Sequence, residues 1–462
     1  MEYLLQHHYM TDDKTALNAV STTLDAMENG GIYDQVGGGF ARYSVDQIWK
    51  VPHFEKMLYD NGQLVSLYAE AYTATGNPLY KQVVVETLEF IERELTDKTG
   101  AFYSALDADS EGEEGKFYVW KKEELQQILD TDFDVFADYY SINNKGLWEH
   151  GNYILLRDKS IESVAKKNKS NVEEVESIIK NARKKLMKER DKRIRPGLDD
   201  KSLTSWNALM LSGYVDAYFA FQDQSYLDIA IKNARFITET QRRSDGGLNH
   251  SYKAGRSTIN GYLEDYSFTI EALVKLYEAT FDQHWIDEAH KLADYAIAHF
   301  HDEEKGLFYF TSDMDQALIA RKKEISDNVI PASNSSMAKG LFYLGHYFDQ
   351  SAYLEISETM LNNVAGSIEK YPSGYSNWMQ LLLHHTHPFY EIAISGKDAN
   401  QKRNEFQTHY FPNKLLIGSV MASELPLLKF KDVEGETMIY VCLDKMCKLP
   451  VKEVADAVRL ME

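Results

Sequence analysis

Five short stretches of this 462-residue sequence concentrate side chains able to move protons, and each lies just ahead of, or between, apolar runs. Residues 30–43 are glycine-rich and end in Arg42 and Tyr43, residues 49–61 set His53, Glu55 and Asp60 among aromatic neighbours, and residues 103–115 crowd Asp107 and Asp109 with three glutamates. Residues 199–207 place Trp206 and Asn207 after two aspartates, and residues 261–266 bring Tyr262, Glu264 and Asp265 together. Paired carboxylates are the groups of glycoside hydrolysis, and aromatic faces beside carboxylates and an asparagine suit a sugar ring. The expectation is that Asp107 or Glu264 donates a proton, that Asp60, Asp109 or Asp265 acts as base, and that Trp206, Tyr43 and Tyr262 with Asn207 carry the sugar. Sugar epimerisation is the variant, with His53 as general base and Arg42 holding the developing negative charge.

Each stretch also has a purely structural reading. The glycines permit tight turns, Glu55 favours a helix dipole, the acidic loop makes a capped turn, and the aromatic residues at helix starts pack the core. The glycine-rich stretch lacks both the Lys-Ser/Thr of a phosphate loop and a dinucleotide fingerprint, and the acidic loop lacks the calcium-loop spacing. His384, His385 and His387 have no carboxylate or cysteine nearby to complete a tetrahedral set, so no metal and no cofactor are expected. Cys442 and Cys447 have four residues between them, unlike a thioredoxin-type motif, and are expected as unpaired structural thiols, with a regulatory disulfide as the minor reading.

Four helix pairs of similar length position these stretches. An apolar helix (residues 61–75, 204–222, 265–281 and 333–349) is followed by an amphipathic one that opens near Tyr80, Tyr226, Trp285 or Tyr353 and ends at Gly100, Gly246, Gly306 or Gly374. The apolar helices are expected inside and the amphipathic ones outside. Residues 12–28 read as an outer helix and 377–385 as an inner one that together close the ring, and residues 121–140 with 172–188 supply a diverged sixth pair. The expected fold is therefore all-α, an (α/α)6 toroid over residues 1–388, followed by a small α/β appendage over residues 389–462 with β-branched runs at 391–395, 415–420 and 438–441. The basic segment 180–195 reads as a solvated outer helix and loop.

With 50 basic and 71 acidic residues, the net charge of −21 opposes nucleic acid and anionic membranes as partners, and neutral or cationic ligands fit better. Residues 1–8 have no basic segment followed by an apolar one, and two cysteines suit a reducing compartment, so a cytoplasmic location is expected.

Taken together, Gly31-Ile32-Tyr33-Asp34-Gln35, Val51-Pro52-His53-Phe54-Glu55-Lys56-Met57-Leu58-Tyr59-Asp60-Asn61, Tyr103-Ser104-Ala105-Leu106-Asp107-Ala108-Asp109 and Gly261-Tyr262-Leu263-Glu264-Asp265-Tyr266 resemble the YyaL/spermatogenesis-associated protein 20 family. The resemblance runs along nearly the whole chain. It implies a toroid similar to the six-hairpin glycosidases and N-acylglucosamine 2-epimerases, and it brings no known reaction. Family members usually carry an N-terminal thioredoxin-like domain with a cysteine motif, and this sequence has no cysteine before Cys442. The expected partners are a small-molecule sugar or, if the toroid is a non-catalytic scaffold, such a thioredoxin-like domain.

Overall fold

The computed structural model describes residues 1–316 and 319–461. The chain opens with two helix pairs, α1 (Glu2–Thr11) with α2 (Lys14–Asn29) and α3 (Leu58–Thr75) with α4 (Pro78–Glu94). Four helices follow: α5 (Lys122–Leu129), α6 (Phe133–Tyr139), α7 (Ile161–Lys167) and α8 (Val172–Arg190). Pairing then resumes with α9 (Thr204–Phe221) and α10 (Gln224–Arg235), α11 (Leu263–Thr280) and α12 (Gln283–Phe300), and α13 (Ser333–Tyr347) and α14 (Ser351–Lys370). Next comes α15 (Ser376–Thr386), and the appendage adds α16 (Ala399–Gln407) and α17 (Val454–Met461).

One local device builds four of these pairs. The first helix stops at a residue in the left-handed region, Asp12 (φ 57°), Gly76 (71°), Gln222 (55°) or Phe281 (55°). The next residue, Asp13, Asn77, Asp223 or Asp282, then accepts the backbone N–H two residues on at 2.8–3.1 Å and starts the second helix. Such a turn satisfies orphan carbonyls of one helix and an orphan N–H of the next within a few residues.

Burial decides which member of a pair lies inside. In α9 and α11 the buried residues run around most of the helix, whereas α2, α4, α10 and α12 keep an exposed face. Around the ring α3 packs on α9, α9 on α11, α11 on α13, α13 on α15 and α15 on α1. The circle returns from α1 to α3 at Glu2 and Glu70, whose charges act on each other. The fold is the (α/α)6 toroid expected, with two corrections to its parts. The inner helix preceding α2 is α1, which reads poorly in sequence because it buries only Leu5. Residues 121–140 and 172–188 do not form a ring pair: α3 packs directly on α9, and α5–α8 make their own core around Leu125, Phe136, Val175 and Leu186.

That side unit is fastened to the ring by charges the sequence reading left in solvent. Arg190 and Lys56, each 2% exposed, both reach the Asp34 carboxylate, Arg190 Nη1 at 2.8 and 2.9 Å from its two oxygens and Lys56 Nζ at 2.9 Å. Arg183 pairs with Glu86 of α4, which also accepts the Tyr33 hydroxyl at 2.6 Å. Segment 180–195 is thus partly an interface, because Arg183 and Arg190 meet carboxylates supplied from 97 and 156 residues earlier in the chain.

Residues 390–395 form the centre of a four-stranded sheet, parallel to 414–419 and antiparallel to 438–443, which pairs in turn with 446–447. The sheet covers the C-terminal ends of the inner helices. Glu278 of α11 accepts Leu416 N–H at 2.8 Å and the Tyr347 hydroxyl at 2.7 Å, and Gln407 Nε2 donates to the Glu278 carbonyl at 2.8 Å. Cys442 and Cys447 are joined in a disulfide across the last two strands, which corrects their reading as unpaired thiols: the strand register sets them opposite each other. The joined pair also removes the cysteine argument for a reducing compartment. No helix among the described residues is long and apolar enough to cross a membrane.

Candidate functional site

The inner helices turn the same stripe of positions toward the ring axis. In α3, α9 and α11 these are the second, sixth, ninth, thirteenth and sixteenth residues: Tyr59, Gln63, Ser66, Glu70 and Thr73; Ser205, Leu209, Ser212, Asp216 and Phe219; Glu264, Phe268, Glu271, Lys275 and Glu278. Spacings of four, three, four and three keep one face of a helix in line. From the sixth position down these residues line a cavity of about 230 Å³, which Ser336, Lys339 and Tyr343 of α13 and Asn377, Gln380 and His384 of α15 complete at the same spacing. Residues 407–414 of the appendage floor it, and Pro331 lies at its upper edge.

The axial network is charged and largely paired. Lys275 donates to Asp216 at 2.6 Å, Lys339 lies 3.0 Å from Glu271 and 2.9 Å from Asn377 Oδ1, and Gln380 Nε2 donates to Glu2 at 3.2 Å. Burial, reinforced by the Glu2 charge, raises Glu70 to about 8. Lys275 is held well above its usual value, because Asp216 and Glu70 outweigh its burial. Burial and the neighbouring Lys339 and His385 lower His384 to about 3, and the ring stacks on Phe342. Apart from His384, weighed only as a metal ligand, sequence reasoning missed this set, although polar residues recurring every three or four positions in otherwise apolar helices are the signal that marks it.

Above the cavity sits a mouth built from the helix starts. Glu264 accepts the Ser205 hydroxyl at 3.1 Å, and burial, then the charges of Asp265 and Glu324, raise it to about 7. Asp265 is fully buried and takes Ser205 N–H, Tyr262 N–H and His250 Nδ1 at 2.8–2.9 Å, so its lone pairs are spent on positioning. His250 is raised above its usual value, since Asp265 and Glu264 outweigh burial, and the bond at Nδ1 leaves Nε2 to face a ligand. Tyr262 stacks on Phe310 at a ring distance of 4.9 Å and meets the tilted His250 ring at 4.8 Å. The donor atoms of His250, Glu264 and Asp265 lie within 4.8 Å of one another, but the bonds already made to Asp265 identify an Asp–His pair.

The remaining sequence-predicted residues divide between the mouth and the outer rim. Trp206 meets Tyr59 edge-on at 4.8 Å, and Arg42 Nε donates to the Tyr59 hydroxyl at 3.1 Å. Asp60, beside them, is raised to about 7 by burial, with Arg42 opposing and Glu55 adding to the rise, and its Oδ2 is buried without a hydrogen bond among the described residues. His53 is turned outward: Nδ1 lies 2.8 Å from Glu114, and the ring stacks on the exposed Tyr43. Asp107 and Asp109 are exposed on the acidic hairpin, which the structure does not bring together with Glu264. Asn207 is wholly buried, and its carboxamide accepts Phe102 N–H at 2.8 Å and donates to the Phe102 and Leu203 carbonyls at 3.1 and 2.8 Å. Asn61 clamps Phe40 and Asn334 clamps Phe308 in the same way, while the Tyr266 hydroxyl takes Leu248 N–H in α11. These residues hold the loops at the mouth, so Asn207 is unable to offer its amide to a ligand.

Residues 327–332 form a tongue at the edge of the cavity. Asp327 anchors it by accepting Ala332 N–H, the Ser335 hydroxyl and Asn377 N–H at 2.8–2.9 Å, and the Val329 carbonyl is taken by Gln63 Nε2 of α3 at 3.0 Å. A single hydrogen bond of about 1 kcal/mol is worth roughly fivefold in an opening equilibrium. Gln63→Ala is therefore expected to speed alkylation of a cysteine introduced at Ser66 by about fivefold, Cys442 and Cys447 being already joined. Equal rates with and without Gln63 would show that the tongue does not control access.

Fold and site together define an (α/α)6 toroid with a polar axial cavity under a mouth lined by ionisable side chains. Along 99% of its length the chain is similar to human spermatogenesis-associated protein 20, with 29% identity over 505 residues. An uncharacterized Caenorhabditis elegans protein is 28% identical over 488 residues, which cover 96% of this chain and 66% of that protein. The chain spans 64% of the length of the human relative. No family model matches. Among solved structures, a cellobiose 2-epimerase from Bacillus thermoamylovorans superposes with a TM-score of 0.47 at 12% identity, covering 76% of this chain and 72% of that one. A GH76 alpha-mannanase from Bacteroides thetaiotaomicron gives 0.44 at 13% identity, covering 80% and 78%.

Proposed function

We propose that the toroid binds a polyhydroxylated ligand, a sugar of one or two rings, and moves a proton at its outer end with Glu264 and His250. The observation that carries the reading is the axial cavity, where serine hydroxyls, carboxamides, carboxylates and lysines from six helices face about 230 Å³ of space. A polyol both donates and accepts along its whole length, and such a lining answers it group by group. At the mouth the roles divide: Glu264 is protonated near neutrality and serves as acid, and His250, oriented through Nδ1 by Asp265, offers Nε2 as acid or base. Hydrolysis would pair Glu264 with a second carboxylate, and epimerisation would pair it with His250. These roles replace those given to Asp107, Asp109 and Asp265, which are exposed or already engaged.

The test is thermal unfolding of the chain with a panel of mono- and disaccharides, beside Ser212→Leu, which fills the cavity. A ligand at about 100 times its Kd raises stability by about 2.7 kcal/mol. The expected result is a shift in the wild type that Ser212→Leu abolishes. No shift with any sugar in folded protein overturns the reading and leaves the scaffold for a thioredoxin-like partner. Where turnover is found, Glu264→Gln is expected to lower it by about 10²- to 10⁴-fold while the thermal shift persists. The wild-type rate should fall as pH rises through about 7, since the acid is then ionised.

A further inference from the structure

Five carboxylates and three lysines line the axial cavity. Lys275 is paired with Asp216, Lys339 with Glu271 and Lys414, at 3.7 Å, with Glu278. Glu2 and Glu70, whose charges act on each other, make no ion pair of their own among the described residues, although the Lys275 and Lys339 charges act on Glu70. Around them the lining is rich in unanswered acceptors: Glu70 Oε2, Gln6 Oε1 and Gln407 Oε1 are buried and make no hydrogen bond among the described residues. Gln407, only 4% exposed, is tied through Nε2 to the Glu278 carbonyl, which leaves its Oε1 to the cavity. A group that answers two carboxyls and two amide oxygens donates several hydrogen bonds, and the excess of carboxyls over lysines in the lining favours positive charge. A primary ammonium has three N–H donors and no acceptor.

We propose that the inner half of the cavity is a subsite for a primary ammonium group, seated between Glu2 and Glu70, and that the ligand is an amino sugar rather than a plain one. The sugar part rests on the function proposed above; the ammonium subsite does not. Burial and the Glu2 charge keep Glu70 protonated at neutral pH, so an arriving ammonium displaces that proton to solvent and binding releases up to one proton.

The experiment compares glucosamine with glucose by calorimetry on the full chain, with ethylammonium chloride as a sugar-free probe against sodium chloride of equal ionic strength. Glucosamine is expected to bind at least tenfold more tightly than glucose, with proton release seen as buffer-dependent heat. Glu70→Gln should erase the difference. Equal affinities in the wild type, or a preference that survives both Glu70→Gln and Glu2→Gln, would overturn the proposal. If no sugar binds but ethylammonium stabilises the wild type and not Glu70→Gln, the sugar reading falls and the ammonium subsite stands. If ethylammonium also fails, the subsite falls with it.

Discussion

Replacing Asp34 with alanine is expected to cost about 3–5 kcal/mol of folding stability, among the largest effects of any single substitution in this chain. The reason is what would remain: Arg190 and Lys56, each 2% exposed, would be buried cations without a counter-ion. Asp34 also accepts Val36 and Gly37 N–H at 3.0 Å and so fixes the glycine turn that leads to Arg42. Burial opposes its ionisation, but the guanidinium and ammonium beside it prevail and hold the carboxyl well below the usual carboxylate range. The sign of the pH dependence follows. A folded-state pKa below the unfolded value of about 3.9 gives stability that is complete above that value and lost as pH falls below it. Urea titrations of wild type and Asp34→Ala at pH 7 and pH 3 should therefore differ strongly at pH 7 and less at pH 3. A loss under 1 kcal/mol at pH 7 would mean that the side unit is not fastened to the ring through this carboxylate.

The second large effect falls on the asparagine clamps. Asn207→Ala removes both bonds to the Phe102 peptide and the bond to the Leu203 carbonyl, and it takes from Asn233 Nδ2 one of its two acceptors, Asn207 Oδ1 at 2.9 Å, leaving the Gly100 carbonyl. Each buried group left without a partner costs about 1–3 kcal/mol, so a total of about 2–4 kcal/mol is expected once the site relaxes. Asn61→Ala, in the neighbouring copy of the device, should cost a similar amount, and the two should add to within about 0.5 kcal/mol because they share no partner. Denaturation midpoints of the two single variants and the double variant check this. Stability unchanged in Asn207→Ala would return the carboxamide to the list of ligand-binding groups.

How much of this was legible before folding depends on the range over which each feature is determined. The first helices of the pairs, their aromatic-headed partners and the closing glycines follow from the hydrophobic period, which is local. The ring class follows from repeating that unit. Helix α1 was not legible, because it buries a single side chain and is recruited by contact with α15, some 370 residues later. The side unit of α5–α8 passed for a ring pair because a helix that packs on its own small core has the same period as one that packs on a ring.

At the site the division is finer. The sequence placed Glu264, Asp60 and Trp206 at helix starts, and the structure keeps them at the mouth, since each sits within the first turn of an inner helix. It could not tell Glu264 from Asp265: adjacent on one helix, they differ only in that Asp265 meets His250 and two backbone amides while Glu264 faces the axis. Nor could it tell Asn207 from a ligand-binding amide, because its partner peptide comes from another hairpin.

By itself, then, the sequence determined the helices, their turns, the inner and outer faces and the concentration of acid–base residues at one end. All of these rest on hydrogen bonds and side-chain periods spanning a few residues. Only the tertiary structure decided which carboxyls are buried enough to hold a proton, which are spent on positioning, and that the stripes of six helices converge on one polar cavity. Those properties depend on desolvation and on charges brought together from distant parts of the chain, and neither exists until the ring closes.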